Sequence, residues 1–290
     1  MSSAVSSKVP AGAKDHDKYE ISRFEHVRRK HIGRYVSAAV ILAIGAWLVI
    51  SFAHGQIQWA VVKQFLTVES ILRGLGNTVV MAALAMLMGI AIGITVAVMR
   101  LSTNPVVNRA AAAYVWFFRG TPVLLQLLLW FNLALVFPVI AFPGLFEFRT
   151  VDVMTPFLAA LLGLGINQGA YTSEVVRAGL LSVDQGQYEA AKAIGMPRLQ
   201  ALRRIILPQA MRVIVPPIGN ELISMVKTTS LASVIQLSEL VHNAENIYFS
   251  NNMVMELLIV AGIWYLAIVT VLTFFQGRLE RRLARGVRRN

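Results

Sequence analysis

The sequence predicts an all-α integral membrane protein with six membrane-spanning helices and both termini on the cytoplasmic side. Three observations carry this. The chain of 290 residues is 56% hydrophobic and only 14% charged, whereas soluble domains run at about 45–50% and about 25%. The apolar excess gathers in long runs free of Asp, Glu, Lys and Arg, each of the length that crosses a hydrocarbon core. The cations then fall on one face when the runs are threaded through a bilayer. A soluble globular enzyme does not fit this composition.

From the N-terminus, residues 1–34 form a basic tail whose first part is rich in Ser, Ala, Lys and Gly and is expected to be partly disordered. Residues 35–53 form the first span. It is too long for the apolar region of a secretory signal and lacks a small-residue cleavage site, so it is expected to stay in the protein. Over 54–73, Ile57, Val61, Phe65, Val68 and Leu72 recur at helical spacing, which predicts one helix lying on the outer interface. The uncharged runs 74–99, 120–146, 153–173 and 257–277 give four more spans. The remaining one, 205–226, is apolar except for Arg212 and Glu221.

With the N-terminus inside, 21 of the 27 Lys and Arg residues fall in the two tails and the inner loops, and only Lys63, Arg73 and Arg149 fall outside. The net charge of +12 is therefore accounted for by topology and contact with anionic lipid rather than by nucleic-acid binding. The chain has no cysteine, which excludes disulfides, a thiol nucleophile and thiolate metal sites.

Inside the spans, Gly89 with Gly93 and Gly165 with Gly169 have the spacing that lets helices approach closely. Polar residues carry more information, because each is costly in a membrane unless paired or facing water. Asn77 and Thr78 open the second span. Arg119, Gly120, Thr121 and Pro122 open the third, which also holds Gln126. Asn167, Tyr171 and Glu174 share a face of the fourth, with Arg177 one turn beyond Glu174. Asn220, Ser224 and Lys227 repeat that spacing on the fifth, beside Glu221. These residues form either a polar pathway between spans two to five or interhelical hydrogen bonds that fix packing.

The longest inner loop holds the most specific segment. A short helix with small residues Ala190, Ala191 and Ala193 is followed by Gly195, suited to a positive φ that ends a helix, and by Pro197, suited to the first turn of the next. Leu199, Leu202, Ile205 and Ile206 are expected to line one face of that second helix. An alanine-faced helix end is shaped for a groove on another protein, although a loop packed on its own membrane domain remains the alternative at this level.

This loop resembles the EAA loop of ABC-importer permeases: Glu189, Ala190, Ala191, Gly195 and the Ile206, Leu207, Pro208 ending all match its pattern. The Arg-Gly-Thr-Pro segment at 119–122, the 171–179 run with Glu174 and Arg177, and the segment from Asn220 and Glu221 to Lys227 narrow the resemblance to polar amino-acid permeases of the histidine, glutamate, glutamine, arginine and opine type. It extends over about residues 74–278.

The resemblance implies a type I importer core of five helices, with 35–53 as an extra N-terminal helix and 279–290 as a basic cytoplasmic tail. It implies a multi-pass protein of a bacterial cytoplasmic membrane that works with two ABC ATPase subunits, a second permease chain (the same or a sister), an extracytoplasmic solute-binding protein and an amino acid. The loop at about 185–208, with Glu189, Ala190, Ala191, Gly195, Pro197, Leu207 and Pro208, would be the ATPase-coupling element. The outer segments 147–152 and 239–251 would face the binding protein. The chain has no Gly-Lys pair and hence no phosphate-binding loop, so no cofactor is expected in it; ATP and Mg would sit on the partner ATPase.

The amino acid's carboxylate would meet Arg119, Arg177 or Lys227, and its ammonium Glu174 or Glu221. The competing reading is a secondary transporter or channel for small polar solutes, with Glu174 as a proton relay. An intramembrane enzyme is disfavoured, since no histidine lies centrally in a span and no hydrolase motif is present.

Overall fold

The structure is a computed structural model that describes residues 32–55, 57–142 and 146–283. Most of the N-terminal tail and the end of the C-terminal tail lie outside the described residues. The chain divides into two units, 1–57 and 58–290. In the first, α1 (Ile32–Ala53) is a single 22-residue helix of almost wholly apolar composition.

The second unit begins with α2 (Trp59–Phe65) and α3 (Glu69–Arg100). The single interfacial helix expected over 54–73 is thus two pieces. The backbone leaves the helix at Val68, which is extended, and Ile71, absent from the predicted stripe, is the fully buried residue. Gln58 N–H donates to Glu256 at 2.9 Å and Trp264 Nε1 to the Leu66 carbonyl at 3.0 Å, so α2 is fastened to the last helix. With 32 residues, α3 rises about 48 Å, more than a hydrocarbon core requires.

The apolar run 120–146 is not one span. A helix of 16 residues, α4 (Pro105–Gly120), precedes it, and α5 (Val123–Phe131) follows at an angle of 101°. Pro122 drives Thr121 out of helical geometry (φ −112°, ψ 142°), as the residue before proline is sterically biased to be. The rest of the run makes a turn at Leu133–Leu135 and an antiparallel hairpin, β1 (Val139–Phe142) with β2 (Phe146–Arg149), paired with Val139 opposite Arg149. A four-residue α6 (Thr150–Val153) leads to α7 (Pro156–Leu181), capped by Thr155 accepting from Leu158 N–H at 3.2 Å.

After α7 come α8 (Gln185–Ala193), the single turn α9 (Arg198–Ala201), a π-helical turn over Leu202–Ile206, and α10 (Leu207–Thr228). A 3₁₀ segment (Thr229–Ile235), α11 (Leu240–Asn251) and α12 (Val254–Leu283) complete the unit. Among the described residues α1, α3 and α12 are long and apolar enough to cross a membrane alone, and α4 with α5 qualifies as a bent pair. The 26 residues of α7 and 22 of α10 have the length but carry more polar residues.

The core lies where α3, α5, α7 and α10 meet. Met81, Ala82, Ala85, Leu127, Ala159, Ala160, Leu164 and Met225 are all buried there. The two glycine pairs interlock α3 with α7. A Cβ on Gly89 would lie 2.5 Å from Gln168 Cγ, and one on Gly93 2.7 Å from Thr172 Cβ. Reciprocally, a Cβ on Gly165 would lie 2.8 Å from Met88 Sδ, and one on Gly169 2.6 Å from Ile92 Cγ2. Without glycine the two backbones would not come this close.

Candidate functional site

A cavity of about 580 Å³ opens between α4, α5, α7 and α10. The elbow at 119–122 forms one wall, α7 contributes Asn167, Gln168 and Tyr171, and α10 contributes Glu221, Ser224 and Thr228. The elbow is held from behind. Gln126 Nε2 donates to Thr121 Oγ1 at 2.7 Å and lies 3.1 Å from the Phe118 and Thr121 carbonyls. Asn167 Nδ2 donates to the Phe118 carbonyl at 2.8 Å and to Gln126 Oε1 at 3.2 Å, tying α7 to the same turn. The Arg119 guanidinium lies 5.0 Å from the Tyr171 ring centroid, a cation–π placement. No carboxylate among the described residues pairs with it.

Across the cavity, Glu221 Oε2 accepts from Gln168 Nε2 at 2.6 Å and from Thr172 Oγ1 at 3.1 Å. Both donors reach one oxygen, and Oε1 has no hydrogen-bond donor among the described residues. The cavity therefore offers a planar cation on one side, a half-satisfied carboxylate on the other, and hydroxyls and amides between.

Of the pathway residues expected from sequence, Arg119, Asn167, Tyr171, Glu221 and Ser224 line this cavity, and Gln126 supports it. The face of α10 is Glu221, Ser224 and Thr228, not Asn220, Ser224 and Lys227; Asn220 and Lys227 are exposed and stand outside the lining. The i, i+4, i+7 template misses because positions 221, 224 and 228 lie equally well on one helical face. Glu174 and Arg177 also stand outside it. They form a bidentate pair, with Arg177 Nη2 donating to Glu174 Oε2 at 2.6 Å, while Arg100 Nε approaches Glu174 Oε1 at 3.7 Å. Asn77 and Thr78 serve the N-terminal part of α3: Asn77 Nδ2 donates to the Ser238 carbonyl at 2.6 Å, and Thr78 Oγ1 accepts from Leu240 N–H at 3.1 Å.

Sequence reading missed Gln168, Thr172 and Thr228. A polar i, i+4 pair at Gln168 and Thr172, next to the glycines of α7, was the available signal. The segment 239–251 is also different from the exposed loop expected. Glu239 is fully buried, caps α11 by accepting from His242 N–H at 2.7 Å, and accepts from Tyr265 Oη at 2.9 Å.

The segment between α7 and α10 is the second candidate site. Asp184 caps α8 by accepting from Gly186 N–H at 2.7 Å. The helix ends at Gly195 with φ +72°, and Met196 N–H returns to the Ala191 carbonyl and Gly195 N–H to the Lys192 carbonyl, each at 3.0 Å. This is a Schellman closure, and it requires the conformation that glycine tolerates. Pro197 stands at the cap of α9, one position before its first turn. Ala191 is buried, while Glu189, Ala190 and Ala193 are exposed.

Ile194 and Leu199 are 73% and 67% exposed, so the tip of the loop presents apolar side chains outward. The expected apolar face of the second helix is split: Ile206 is buried and Leu199 and Leu202 are exposed. Pro208 has no N–H to donate to the Arg204 carbonyl. The chain answers with the π turn, in which Leu207 N–H reaches back to the Leu202 carbonyl.

The pattern for binding-protein-dependent transport system inner-membrane components matches residues 89–285. The chain belongs to this family. It is a permease subunit of ABC importers, a membrane component and not an enzyme; in such systems the ATPase is a separate subunit, and a binding protein works with the permease. The chain is 41% identical over 260 residues to an arginine transport system permease protein of Corynebacterium glutamicum, covering 89% of this chain and 82% of that one. It is 38% identical over 204 residues to a nopaline transport system permease protein of Agrobacterium fabrum, covering 70% and 83%. A crystal structure of an amino acid ABC transporter with histidines contains a chain that superposes with a TM-score of 0.65 at 33% identity, over 73% of this chain and 94% of that one. The methionine ABC transporter MetNI, at 20% identity and a TM-score of 0.60, shares the fold.

Proposed function

We propose that this permease passes a polar amino acid, delivered by an extracytoplasmic binding protein, through the cavity between Arg119 and Glu221. The observation that carries this is the opposed pair itself. A free amino acid bears one carboxylate and one ammonium. The cavity presents one guanidinium and one carboxylate with an unoccupied oxygen, and Ser224 and Thr228 line it with them. The arginine and nopaline permeases among its relatives make arginine-like solutes the first to test.

In this reading α1, α3, the bent pair α4–α5, α7, α10 and α12 are the six crossings, and both termini are cytoplasmic. This keeps the cation asymmetry of the sequence, with the third crossing shifted upstream to include α4. The loop 185–208 seats in a groove of one of two ATPase subunits, with Ile194 and Leu199 as its apolar contacts. ATP and Mg bind on those partners. Two permease chains surround the pathway, and ATP-driven closure draws their two loops together. The exposed parts of 147–152 and α11 face the binding protein.

The test is uptake into proteoliposomes by the full complex, with ATP inside and the loaded binding protein outside. Arg119→Ala and Glu221→Gln are each expected to lower kcat/KM for arginine at least about tenfold, the scale of one lost charged contact. Uptake unchanged in both variants would remove the cavity from the pathway.

A further inference from the structure

α10 joins the inner loop to the cavity wall, and it contains Pro216 and Pro217 in its interior. Neither has an N–H, so the carbonyls of Arg212 and Val213 lose their helical donors and the rod is weakened at one place. The half before the prolines is bound to α7. Ile206, Ala210 and Ile214 are buried against Val176 and Val183, and Gly179 is so close that a Cβ there would lie 2.2 Å from Ile214 Cγ1. The half after the prolines carries Glu221, Ser224 and Thr228. At the junction α12 intervenes: Gln276, 8% exposed, donates from Nε2 to the Pro216 carbonyl at 2.8 Å and to Glu280 Oε1 at 2.9 Å. Gly219 admits that amide, since a Cβ at 219 would lie 1.8 Å from Gln276 Oε1.

We propose that Pro216–Pro217 is an articulation of α10 and that Gln276 is its positioning residue. The half that packs on the end of α7 near the inner loop turns against the half that carries Glu221, whose bonds to Gln168 and Thr172 on the middle of α7 are the contacts that must yield, and the Gln276 amide holds the pivot to α12. This rests on the permease reading above. The π turn at 202–206 is a second soft place between the loop and α10, so the segment 207–215 is a link with a joint at each end.

The chain has no native cysteine, so paired labels on it meet no background from its own residues. Met211→Cys and Lys227→Cys place exposed labels on either side of the prolines, about 24 Å apart along an unbroken helix. The complete transporter is measured nucleotide-free and trapped with ATP. The distance is expected to change by about 2 Å or more in the native background and to stay fixed in Pro216→Ala/Pro217→Ala, which restores both missing donors. That variant should still assemble with its ATPase and lose uptake at least about tenfold. Gln276→Leu, which keeps volume but removes the donor, should lower kcat with KM unchanged, since Glu221 itself is intact.

A native distance that is the same in both states, or uptake by the double variant within about twofold of native, overturns the articulation. If the native complex shows no ATP-dependent uptake at all, the permease reading fails instead.

Discussion

Replacing Gly89 by Ala adds one methyl group at the closest approach of α3 and α7. That methyl would lie 2.5 Å from Gln168 Cγ and 2.7 Å from Gln168 Cβ. The Gln168 side chain must move, and it is the group that donates to Glu221 at 2.6 Å. Overpacking of this kind costs about 1–3 kcal/mol, and an interhelical polar bond in a membrane is worth about 1 kcal/mol. Alanine in a helix returns about 1 kcal/mol relative to glycine. The net loss is about 2 kcal/mol, taking the middle of each range.

Gly76 is the internal control. It lies on the same helix, and a Cβ there would meet nothing within 4 Å, so Gly76→Ala should gain up to about 1 kcal/mol. The two variants should then differ by about 3 kcal/mol, or about 5 °C in unfolding midpoint for a chain of this size. Thermal unfolding of the purified, detergent-solubilised protein measures it. Equal midpoints for the two would refute the interlocked packing on which the cavity geometry depends.

Three further outcomes follow from the structure. Gly195→Val should strain the Schellman turn, because a β-branched residue is disfavoured at φ +72°, and the ATPase should be lost in gentle purification while the permease remains folded. Tyr265→Phe deprives buried Glu239 of a donor and should cost about 1–3 kcal/mol in unfolding free energy, with little change in KM, since neither residue lines the cavity. Glu174→Gln removes the counter-ion that Arg177 and Arg100 share; it should lower thermal stability without raising KM for the transported amino acid, and a large KM increase would return Glu174 to the pathway.

Much of this architecture was legible in the residues, because some signals are local. The glycine pairs predict close packing, and Gly195 predicts the positive φ that closes α8. Arg119, Tyr171 and Glu221 are recognisable because charge or polarity is costly inside a long apolar run. The elbow at Thr121 and Pro122 was hidden by the hydropathy of its surroundings: a window that counts apolar residues sees 120–146 as one span, although proline stereochemistry forbids a straight helix there. Glu239 looked like a surface acid. Only the folded chain brings Tyr265 to it from 26 residues away. Gln168 and Thr172 form a polar i, i+4 pair in the sequence, but their role depends on Glu221, about 50 residues downstream on another helix.

The central claim is that this chain carries an amino acid across the membrane only when an ATPase is seated on its inner loop. The most direct measurement reconstitutes the purified complex and follows arginine uptake against ATP hydrolysis, with native protein and Glu189→Lys in parallel. The account predicts binding-protein-dependent uptake driven by ATP in the native complex, and loss of both the bound ATPase and uptake in the variant. Uptake by the isolated permease, sustained by an ion gradient without ATP, would contradict it and favour a secondary transporter.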